Sequence, residues 1–527
     1  MASASDALRT LVKGAGISFV GVMLTKVFGY IYQIVAANAL GSDLYGVLSL
    51  GMMAFSVITS LVMLGIPSSV QRFIPYYRNK DDEERIQGVF DFSIRVTLLT
   101  SIIISIGLFL SADFLAIQIF RSEQVASVLR VFSIAVPFCT LATVTTNIAV
   151  AFKKIRFKIY IRNITESIVK IAVTAVLLWF NYGLFGASIG FAAGWISSGI
   201  LGLYLIDRKI FPFISGSINS VRERAKIVRH SAPLVLSDVF NQITSWADIF
   251  LLGYMKNSSA VGLYNAALPT ATIISVIPSA IGSLATPVMT EFYSEGKIED
   301  MAQVYKTTTK WVLMITLPMF LLMALFSKPG LKLLFSPEYL EQTVNFIGFS
   351  YSSTATALSI LAFGYLASSL TGISRQIIEA TSQTKYNFYL ASMTGLVNIG
   401  LNLLLIPDYG VLGAAIATSF SLVTSSVASI IVVNYLTSKQ PFKISMWKIF
   451  FSGLVAAVST YFLIKALADP VPEWMLVPAL AAFGVIYLGL LLLTRTLSED
   501  DKMIIKAAER KIGVDIPYLD EVIERFS

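Results

Sequence analysis

The first long apolar stretch of the chain carries a face of polar side chains that could bind an anion. Lys26, Tyr30 and Gln33 are spaced four and three residues apart, so a helix places them on one side. Lys26 lies about eleven residues inside the apolar run, where its ammonium group cannot easily reach either membrane surface. A charge inside a membrane usually faces water or a counter-charge. We therefore predict that Lys26, Tyr30 and Gln33 belong to a substrate-binding surface.

A second polar stripe lies in predicted helix seven and is about 15 Å long at a rise of about 1.5 Å per residue. Its members are Asp238, Asn241, Ser245 and Asp248, with Gln242 beside them. Carboxylates and amides can hydrogen-bond sugar hydroxyls or engage a coupling cation. We predict substrate binding for Asn241 and Gln242, and coupling or gating for Asp238 and Asp248. The alternatives are that Asp238 caps a helix or neutralises Arg229, and that Asp248 makes only an interhelical hydrogen bond.

Glu166 and Lys170 form a third candidate group, four residues apart in helix five. At this spacing the two side chains can simply pair with each other. Alternatively, an anionic group of the substrate is held by Lys26 or Lys170, and Glu166 acts in coupling or gating. The corresponding helix eleven carries only the uncharged Asn398 and Asn402 at the same period. The buried lysines therefore fall in the first half of the chain and the helix-seven carboxylates in the second.

The elements that must position these side chains are membrane-spanning helices. Of the 527 residues, 55% are hydrophobic and only 14% are charged, which lies outside the range of a soluble domain. Apolar runs of sufficient length predict about fourteen spans. The predicted cores are 15–37, 46–68, 91–111, 127–150, 160–180, 184–206, 232–254, 261–287, 309–327, 344–370, 387–406, 411–435, 446–466 and 474–494. The runs lack two-residue alternation, so we predict an all-α polytopic protein without strands.

Basic residues concentrate on alternate loops, which sets the predicted orientation. One cluster that marks the inner face consists of Lys153, Lys154, Arg156, Lys158 and Arg162. This distribution predicts both termini in the cytoplasm and the protein in the cell membrane. The inner-face basic residues, which we name the basic collar, are predicted to contact membrane lipids. The net charge of +8 comes mostly from that collar, so no nucleic-acid partner is expected. We predict that the first helix is not removed as a signal peptide, because no cleavage site follows a short apolar region.

The chain repeats itself in two polytopic halves. Residues 182–190, YGLFGASIG, return in the same orientation as residues 409–417, YGVLGAAIA. A parallel repeat predicts two lobes with a substrate site between them, which is typical of transporters. We predict an N-lobe of helices one to six at 1–206, a cytoplasmic linker at 207–230 and a C-lobe of helices seven to twelve at 231–436. Helices thirteen and fourteen lie outside the repeat at 437–495, and 496–527 is predicted as a cytoplasmic surface helix.

The residues of several common catalytic sites are missing from the sequence. The one cysteine, Cys139, lies inside helix four, and the one histidine, His230, lies at the start of helix seven. These two residues supply neither a Ser-His nucleophile nor a histidine or thiolate metal site. No Gly-rich nucleotide loop of the Lys-Ser/Thr type occurs. We predict no catalytic residues, no metal, no cofactor and no enzyme activity. We predict a monomer, in which transport is driven by a Na⁺ or H⁺ gradient, by the membrane potential or by removal of the product.

The first two helices contain ALGSDLYG at 39–46, GIP at 65–67 and RFIP at 72–75, and the Tyr-Gly-x-x-Gly-Ala turns follow later in the chain. In this order the motifs resemble the oligosaccharide and polysaccharide flippases of the multidrug, oligosaccharidyl-lipid and polysaccharide (MOP) exporter superfamily. The resemblance implies two six-helix lobes that alternate between inward and outward states and move a polyprenyl-(pyro)phosphate-linked oligosaccharide to the outer leaflet. It implies a cationic cavity for the carrier phosphate, in which Lys26 matches a basic position and Arg72 is a second candidate. Arg72 could equally be a basic residue that only sets the membrane orientation. The resemblance also implies that helices thirteen and fourteen hold the prenyl tail.

Two other functions stay open from the sequence. A cation-coupled multidrug or small-molecule antiporter of the same superfamily would use the helix-seven carboxylates, but such exporters usually have twelve helices and fewer buried cations. A membrane glycosyltransferase would need outward carboxylates on substantial loops, whereas outer acids such as Asp43, Asp113 and Glu338 are scattered over short ones. We therefore expect a flippase for glycan or polysaccharide assembly.

Overall fold

The computed structural model describes residues 4–213, 216, 220–221, 224–346, 349–371, 373–383, 385–467 and 472–496. Within these ranges, 11 helical segments are long and apolar enough to cross a membrane. The prediction of an all-α polytopic membrane protein is confirmed, with 11 candidate spans among the described residues. Nearly all of the predicted surface helix at 496–527, and part of the predicted linker at 207–230, lie outside the described residues.

The described residues group into two compact units. Unit 1 takes in those within Met1–Ala266 and Ile399–Ala414, and unit 2 takes in those within Ala267–Asn398 and Ala415–Ser527. Predicted helix seven therefore groups with unit 1, whereas the repeat assigns it to the second lobe. The lobe boundaries stay a prediction from the repeat.

Long helices make up unit 1. They are α1 Ala4–Met63, α2 Ile66–Arg78, α3 Glu83–Phe114, α4 Gln124–Ala151, α5 Ile155–Lys158, α6 Glu166–Trp179, α7 Gly183–Lys209 and α8 Arg224–Met255. π-helical turns extend α3 at Leu115–Ile119 and join α5 to α6 at Ile159–Thr165. Three helices have residues in both units: α9 Ser258–Thr272, α16 Lys385–Tyr409 and α17 Val411–Thr437.

The other elements lie in unit 2. They are a 3₁₀ turn Ile273–Ser275, α10 Val276–Ser294, α11 Ile298–Leu325, α12 Ser327–Leu334, α13 Glu338–Glu341, strands β1 Thr343–Phe346 and β2 Phe349–Ser352, α14 Ser353–Ser369, α15 Ser374–Ala380, α18 Ser445–Leu467, a 3₁₀ turn Glu473–Met475 and α19 Leu476–Leu493. Leu317 of α11, Ile449 of α18 and Phe483 of α19 share one buried core cluster. The two helices outside the repeat are thereby fixed to α11, while large apolar side chains such as Trp447 and Val485 remain exposed on them.

Helix α1 contains the first two predicted runs. Its backbone departs from helical geometry at Gly41, with φ 73° and ψ 173°, a conformation that is essentially restricted to glycine. The fifth predicted run corresponds to the helical residues 155–179 and the seventh to α8. Each predicted run thus coincides with helix over most of its length.

The tenth predicted run differs from the structure at its beginning. The sequence predicts a helix from residue 344, but β1 and β2 pair antiparallel there and α14 begins at Ser353. Thr343 lies opposite Ser352 in this hairpin. The prediction of a helix that begins at residue 344 is therefore wrong for the first part of this run. Aromatic residues alternate with Asn and Ser across the two strands, which favours an extended backbone over a helix.

Both copies of the repeated Tyr-Gly motif form the same turn between two helices. Gly183 (φ 49°) and Gly410 (φ 52°) adopt the left-handed backbone that glycine tolerates. Gly186 and Gly413 then bring the second helix against the first, since a Cβ there would lie 2.9 Å and 2.4 Å from atoms of the preceding helix. The sequence echo therefore reflects one turn geometry used twice.

Helix α7 packs on α6 through a row of small residues. A Cβ added at Gly190 would lie 2.0 Å from the Thr174 hydroxyl oxygen, and one at Gly194 would lie 2.7 Å from the Glu166 carbonyl oxygen. With Gly186 these glycines repeat every four residues, a pattern that lets membrane helices approach closely. The close packing fixes α6, which carries Glu166 and Lys170.

Helices α1 and α9 meet in what we name the backbone crossing. A Cβ added at Gly46 would lie 1.8 Å from the Ser258 carbonyl oxygen, and one at Gly262 would lie 1.9 Å from the Ser42 carbonyl oxygen. The Ser258 hydroxyl also donates a hydrogen bond to the Asp43 carboxylate. The two helices are therefore in direct main-chain contact at these two glycines.

Candidate functional site

Unit 1 encloses a cavity of about 490 Å³, which we name the arginine cavity. Its wall is formed by α1, α2, α4, α7, α8 and the π-helical turn before α6. Its polar side chains include Ser56, Thr143, Arg162, Asp238, Asn241 and Gln242. Its aromatic side chains are Phe55, Phe191, Trp195 and Trp246. A mostly apolar pocket of this size with a few convergent polar groups is typical of ligand sites.

Arg162 supplies the positive charge of the arginine cavity. Its guanidinium donates to the Thr143 hydroxyl at 3.2 Å and stacks on Trp195, with 4.3 Å between its central carbon and the ring centroid. The Thr143 hydroxyl in turn donates to the Cys139 carbonyl oxygen at 2.9 Å. Within the part of the chain that the structure describes, Arg162 forms no ion pair. Its remaining N–H groups are therefore available to an anionic ligand.

The π-helical turn Ile159–Thr165 accounts for the orientation of Arg162. In a regular α-helix Arg162 and Glu166 would share a face, yet Arg162 lines the arginine cavity while Glu166 is buried away from it. A π-helical turn holds an extra residue and is frequent at functional sites. The pattern of basic loops predicts Arg162 as an inner-face charge, whereas the structure places it on the cavity wall. The signal that could have found it was its position inside the predicted fifth run, 160–180.

Three predicted residues of helix seven line the same cavity. Asn241, Gln242 and Asp238 all contribute to its wall. Gln242 donates to the Ser56 hydroxyl and so connects α8 to α1. The structure therefore brings the predicted substrate-binding amides and one predicted coupling carboxylate together with Arg162.

Glu166 and Lys170 bind each other in the interior of unit 1. The Lys170 ammonium lies 2.8 Å from a Glu166 carboxylate oxygen, and the residues are 8% and 5% exposed. The Ser167 hydroxyl donates to the other carboxylate oxygen at 3.1 Å, and the Tyr32 ring centroid is 4.9 Å from the ammonium. The mutual pairing considered from the sequence is thus present. Neither residue lines the arginine cavity, and their roles in binding and coupling stay predictions.

Asp248 occupies a separate buried position in unit 1, 9% exposed. The Tyr264 hydroxyl donates to one carboxylate oxygen at 2.7 Å, and the Asn402 amide donates to the other at 2.5 Å. Helices α8, α9 and α16 therefore meet at this carboxylate. A carboxylate beside an amide can exchange a proton or offer oxygen ligands to a cation. Its coupling role stays a prediction.

The predicted binding residues of helix one and α2 lie outside the arginine cavity. Lys26 is exposed on α1, and Tyr30 and Gln33 are partly buried on the same helix, but none contributes to the cavity wall. Arg72 is exposed on α2, with its guanidinium carbon 5.9 Å from the Phe73 ring centroid. Their roles in substrate binding remain predictions, and the cation that the structure brings to the cavity is Arg162.

The arginine cavity is equipped for binding. A fixed guanidinium can form paired hydrogen bonds with phosphate oxygens. Amides donate to and accept from hydroxyl groups, and aromatic rings cover the apolar face of a ligand. In the described ranges, no group of three or more His, Cys, Asp or Glu side chains is arranged to hold a metal ion.

Sequence comparisons place this chain among membrane proteins of glycan assembly. The family model "Polysaccharide biosynthesis protein" matches residues 11–293, and the model "Lipid II flippase MurJ" matches residues 167–481. An uncharacterized membrane protein of Methanocaldococcus jannaschii is 22% identical over 493 residues, which is 91% of this chain and 94% of that protein. The probable low-salt glycan biosynthesis flippase Agl15 of Haloferax volcanii is 22% identical over 219 residues, 42% of this chain and 43% of that protein.

A solved structure has the same fold. The lipid II flippase MurJ in an inward closed conformation gives a TM-score of 0.68 at 15% identity, covering 90% of this chain and 98% of that chain. The two family models each match more than half of the chain, so the resemblance noted from the sequence motifs is confirmed. This multi-pass membrane protein is a transporter and not an enzyme, and it belongs to the polysaccharide biosynthesis and MurJ flippase family of the MOP superfamily.

Proposed function

We propose that the protein moves a polyprenyl-(pyro)phosphate-linked oligosaccharide from the inner to the outer leaflet by alternating access, for glycan or polysaccharide assembly. The observation that carries this proposal is Arg162, held by Thr143 and Trp195 inside the arginine cavity. A guanidinium held in one orientation suits the oxygens of a phosphate or pyrophosphate. The amides of Asn241 and Gln242 on the same wall suit the hydroxyl groups of the first sugar.

The proposed topology has fourteen spans. It adds three spans to the 11 segments, by dividing α1 at Gly41 and by including residues 155–179 and α8. With the basic loops on one side, this places both termini in the cytoplasm of a cell with the protein in its cytoplasmic membrane. Arg162 follows Lys158 by one π-helical turn, so the cavity cation lies near the cytoplasmic face, where the substrate would enter.

The prenyl tail is proposed to lie on α18 and α19. Their exposed surface is apolar and includes Trp447, Phe451, Leu454, Val485 and Leu488. Their opposite faces are held against α11 by the core cluster that contains Ile449 and Phe483. A long hydrocarbon chain could therefore remain in contact with protein while the headgroup crosses.

The carboxylate of Asp248 is proposed as the coupling group. It is buried in unit 1 and receives hydrogen bonds from Tyr264 and Asn402. Exchange of a proton or Na⁺ at such a carboxylate changes the net charge of a buried site, and this change can bias one conformation over another. The driving free energy would come from the ion gradient and from the membrane potential, which supplies about 2.3 kcal/mol per charge at about 100 mV.

A second candidate function is cation-coupled export of a small organic cation. One observation favours it, because Asp238 lies in the same cavity as Trp246 and Phe55. A carboxylate among aromatic faces suits a positively charged drug. The presence of Arg162 on the same wall opposes this ligand through charge repulsion, which makes the anionic substrate the better fit.

The test is a flipping assay in proteoliposomes. A labelled polyprenyl-phosphate-linked oligosaccharide is reconstituted with the protein, and its exposure to an impermeant glycosidase is followed. We expect Arg162→Gln to slow protein-dependent exposure by about 10- to 100-fold, since a hydrogen bond to a charged group contributes about 1.5–3 kcal/mol.

Arg95→Gln is the matched control, because Arg95 forms an exposed pair with Asp91 at 3.5 Å and does not line the cavity. It should flip at the wild-type rate. Unchanged flipping by Arg162→Gln would remove Arg162 from the mechanism. Wild-type protein that exports an organic cation but leaves the glycolipid inside would favour the second function.

A further inference from the structure

Unit 2 contains a second cavity, of about 260 Å³, which we name the hydroxyl cavity. It lies among the 3₁₀ turn before α10, α10 itself, the end of α14, α15, α16 and α17. Most of its lining residues are serine and threonine, and Arg375 is the one charged residue among them. Arg375 and Lys385 are basic residues at the connection between α14 and α16, which the positive-inside rule predicts to be cytoplasmic. In this predicted orientation, the cavity lies towards the leaflet where the substrate would enter.

Five of the eight serine and threonine hydroxyls that line this cavity donate to the backbone of their own helix or turn. Their protons are directed to helix carbonyl oxygens 2.6–2.9 Å away, in the pairs Ser275 to Thr272, Ser279 to Ser275, Thr371 to Ser368, Ser374 to Thr371 and Ser429 to Ser426. A hydroxyl oxygen that has donated its proton still has a lone pair to offer. The Ser374 oxygen already accepts a hydrogen bond from the Tyr305 hydroxyl at 2.5 Å. The other four hydroxyls, those of Ser275, Ser279, Thr371 and Ser429, therefore present acceptor oxygens to a ligand.

The nitrogen donors of the hydroxyl cavity are Arg375, Gln376 and Asn387. Across the described ranges, Arg375 forms no ion pair, and no carboxylate belongs to the cavity wall. Gly282 of α10 makes room for the Gln376 amide, since a Cβ there would lie 2.5 Å from its nitrogen. Donors and acceptors therefore face the same space.

This mixture discriminates between ligand classes. A phosphate oxygen only accepts hydrogen bonds, so it could use the nitrogen donors of this wall but none of its acceptor oxygens. A sugar hydroxyl both donates and accepts, and it can use the two kinds of group at once. Pro278 and Leu390, the apolar members of the wall, can cover the C–H face of a sugar ring.

We infer that the hydroxyl cavity is a glycan subsite that binds a neutral sugar unit of the substrate, distant along the glycan from its phosphate. This inference rests on the proposed function and adds a second contact to it. Its volume is small for a ligand pocket and suits one sugar unit of a longer glycan. Arg375 here acts as a donor to sugar oxygens and not as a phosphate ligand.

The first test measures binding without transport. Ser426, buried in the cavity wall, is replaced by cysteine in a Cys139→Ala background, and the rate of maleimide labelling is followed in purified full-length protein. The probes are the glycans released by mild acid from the host's own polyprenol-linked oligosaccharides, and inorganic pyrophosphate. We expect the glycans to slow labelling severalfold and pyrophosphate to leave it unchanged.

Ser438→Cys is the matched control, because Ser438 is exposed, follows the same helix and lies outside the cavity wall. Its labelling should be the same with either probe. Protection of Ser426→Cys by pyrophosphate would make the cavity an anion site and overturn the inference. Equal labelling with and without glycan would overturn it as well.

The second test separates this inference from the proposed function. Flipping of a one-sugar polyprenyl phosphate is compared with flipping of the full oligosaccharide on the same carrier. We expect Arg375→Gln to slow the full oligosaccharide about tenfold and the one-sugar lipid less than twofold, since the affected hydrogen bond is charge-assisted. Arg162→Gln should slow both. Wild-type protein that flips neither lipid would refute the proposed function. Equal effects of Arg375→Gln on both lipids would refute the glycan subsite alone.

Discussion

Replacing Lys170 by methionine should destabilise the protein strongly, because it leaves a buried carboxylate without its cation. At 2.8 Å the ammonium and carboxylate attract each other by about 6 kcal/mol at an effective dielectric constant of about 20. Burying the two ions costs several kcal/mol each, so the pair contributes little net free energy. Removing Lys170 alone leaves Glu166, 5% exposed, as an uncompensated charge, at a cost of about 3–5 kcal/mol.

The double variant Glu166→Gln with Lys170→Met should regain most of the lost stability. The glutamine keeps an oxygen for the Ser167 hydroxyl, and the methionine fills the space beside Tyr32 and Phe191 without a charge. We expect its free energy of unfolding to lie within about 1 kcal/mol of the wild type. The assay is thermal unfolding in detergent, followed by intrinsic fluorescence at one protein concentration.

Arg95→Met is the matched control for this pair. Arg95 and Asp91 have the same four-residue spacing, but the Arg95 side chain is 68% exposed, so its loss should cost less than about 1 kcal/mol. The reasoning is refuted if Lys170→Met unfolds at the wild-type temperature, or if the double variant is as unstable as the single one. A double variant that is stable yet inactive in flipping would support the predicted role of this pair in binding or coupling.

Two further predictions concern packing and coupling. Gly190→Ala should lower the free energy of unfolding by about 1–3 kcal/mol, because the added methyl group overpacks against Thr174. Gly107→Ala is the control and should not lower it, since there is open space around a Cβ at that position. Equal melting temperatures of the two variants would contradict the close helix contact. Asp248→Asn should abolish the acceleration of flipping by an imposed Na⁺ or H⁺ gradient, measured in the same proteoliposomes, and a variant that keeps its gradient response would exclude Asp248 as the coupling group.

Much of the fold could be predicted from the sequence because apolar length and charge placement are set by the membrane. A spanning helix must be long and apolar, and basic loops mark one side, so the predicted cores coincide with helices over most of their length. The hairpin at Thr343–Ser352 was missed because its aromatic and aliphatic residues join those of the adjoining helix in one long apolar run. Hydropathy reports burial in lipid and does not by itself distinguish an extended from a helical backbone.

The candidate site was only partly predictable. The polar stripe in helix seven predicted that Asp238, Asn241 and Gln242 lie close together, and all three line the arginine cavity, because a regular helix preserves its spacing. Arg162 could not be placed by the same rule, since the π-helical turn shifts the face on which it lies. The pairing of Glu166 with Lys170 follows from their spacing alone, whereas their distance from the cavity depends on how α6 packs against α7.

The backbone crossing of α1 and α9 has a mechanical consequence for the arginine cavity. Helices that touch through their main chains at Gly46 and Gly262 have no side chain at these two glycines to release when they turn, and the hydrogen bonds of Ser258 to Asp43 and of Ser42 with Ser259 beside that contact would rearrange. The contact can therefore act as a pivot for the part of α1 that follows Gly46. Ser60, on the cavity wall, lies about 21 Å along the helix from Gly46 at about 1.5 Å per residue. A rotation of about 10° at the pivot would move that part of the wall by about 4 Å, more than the width of a water molecule.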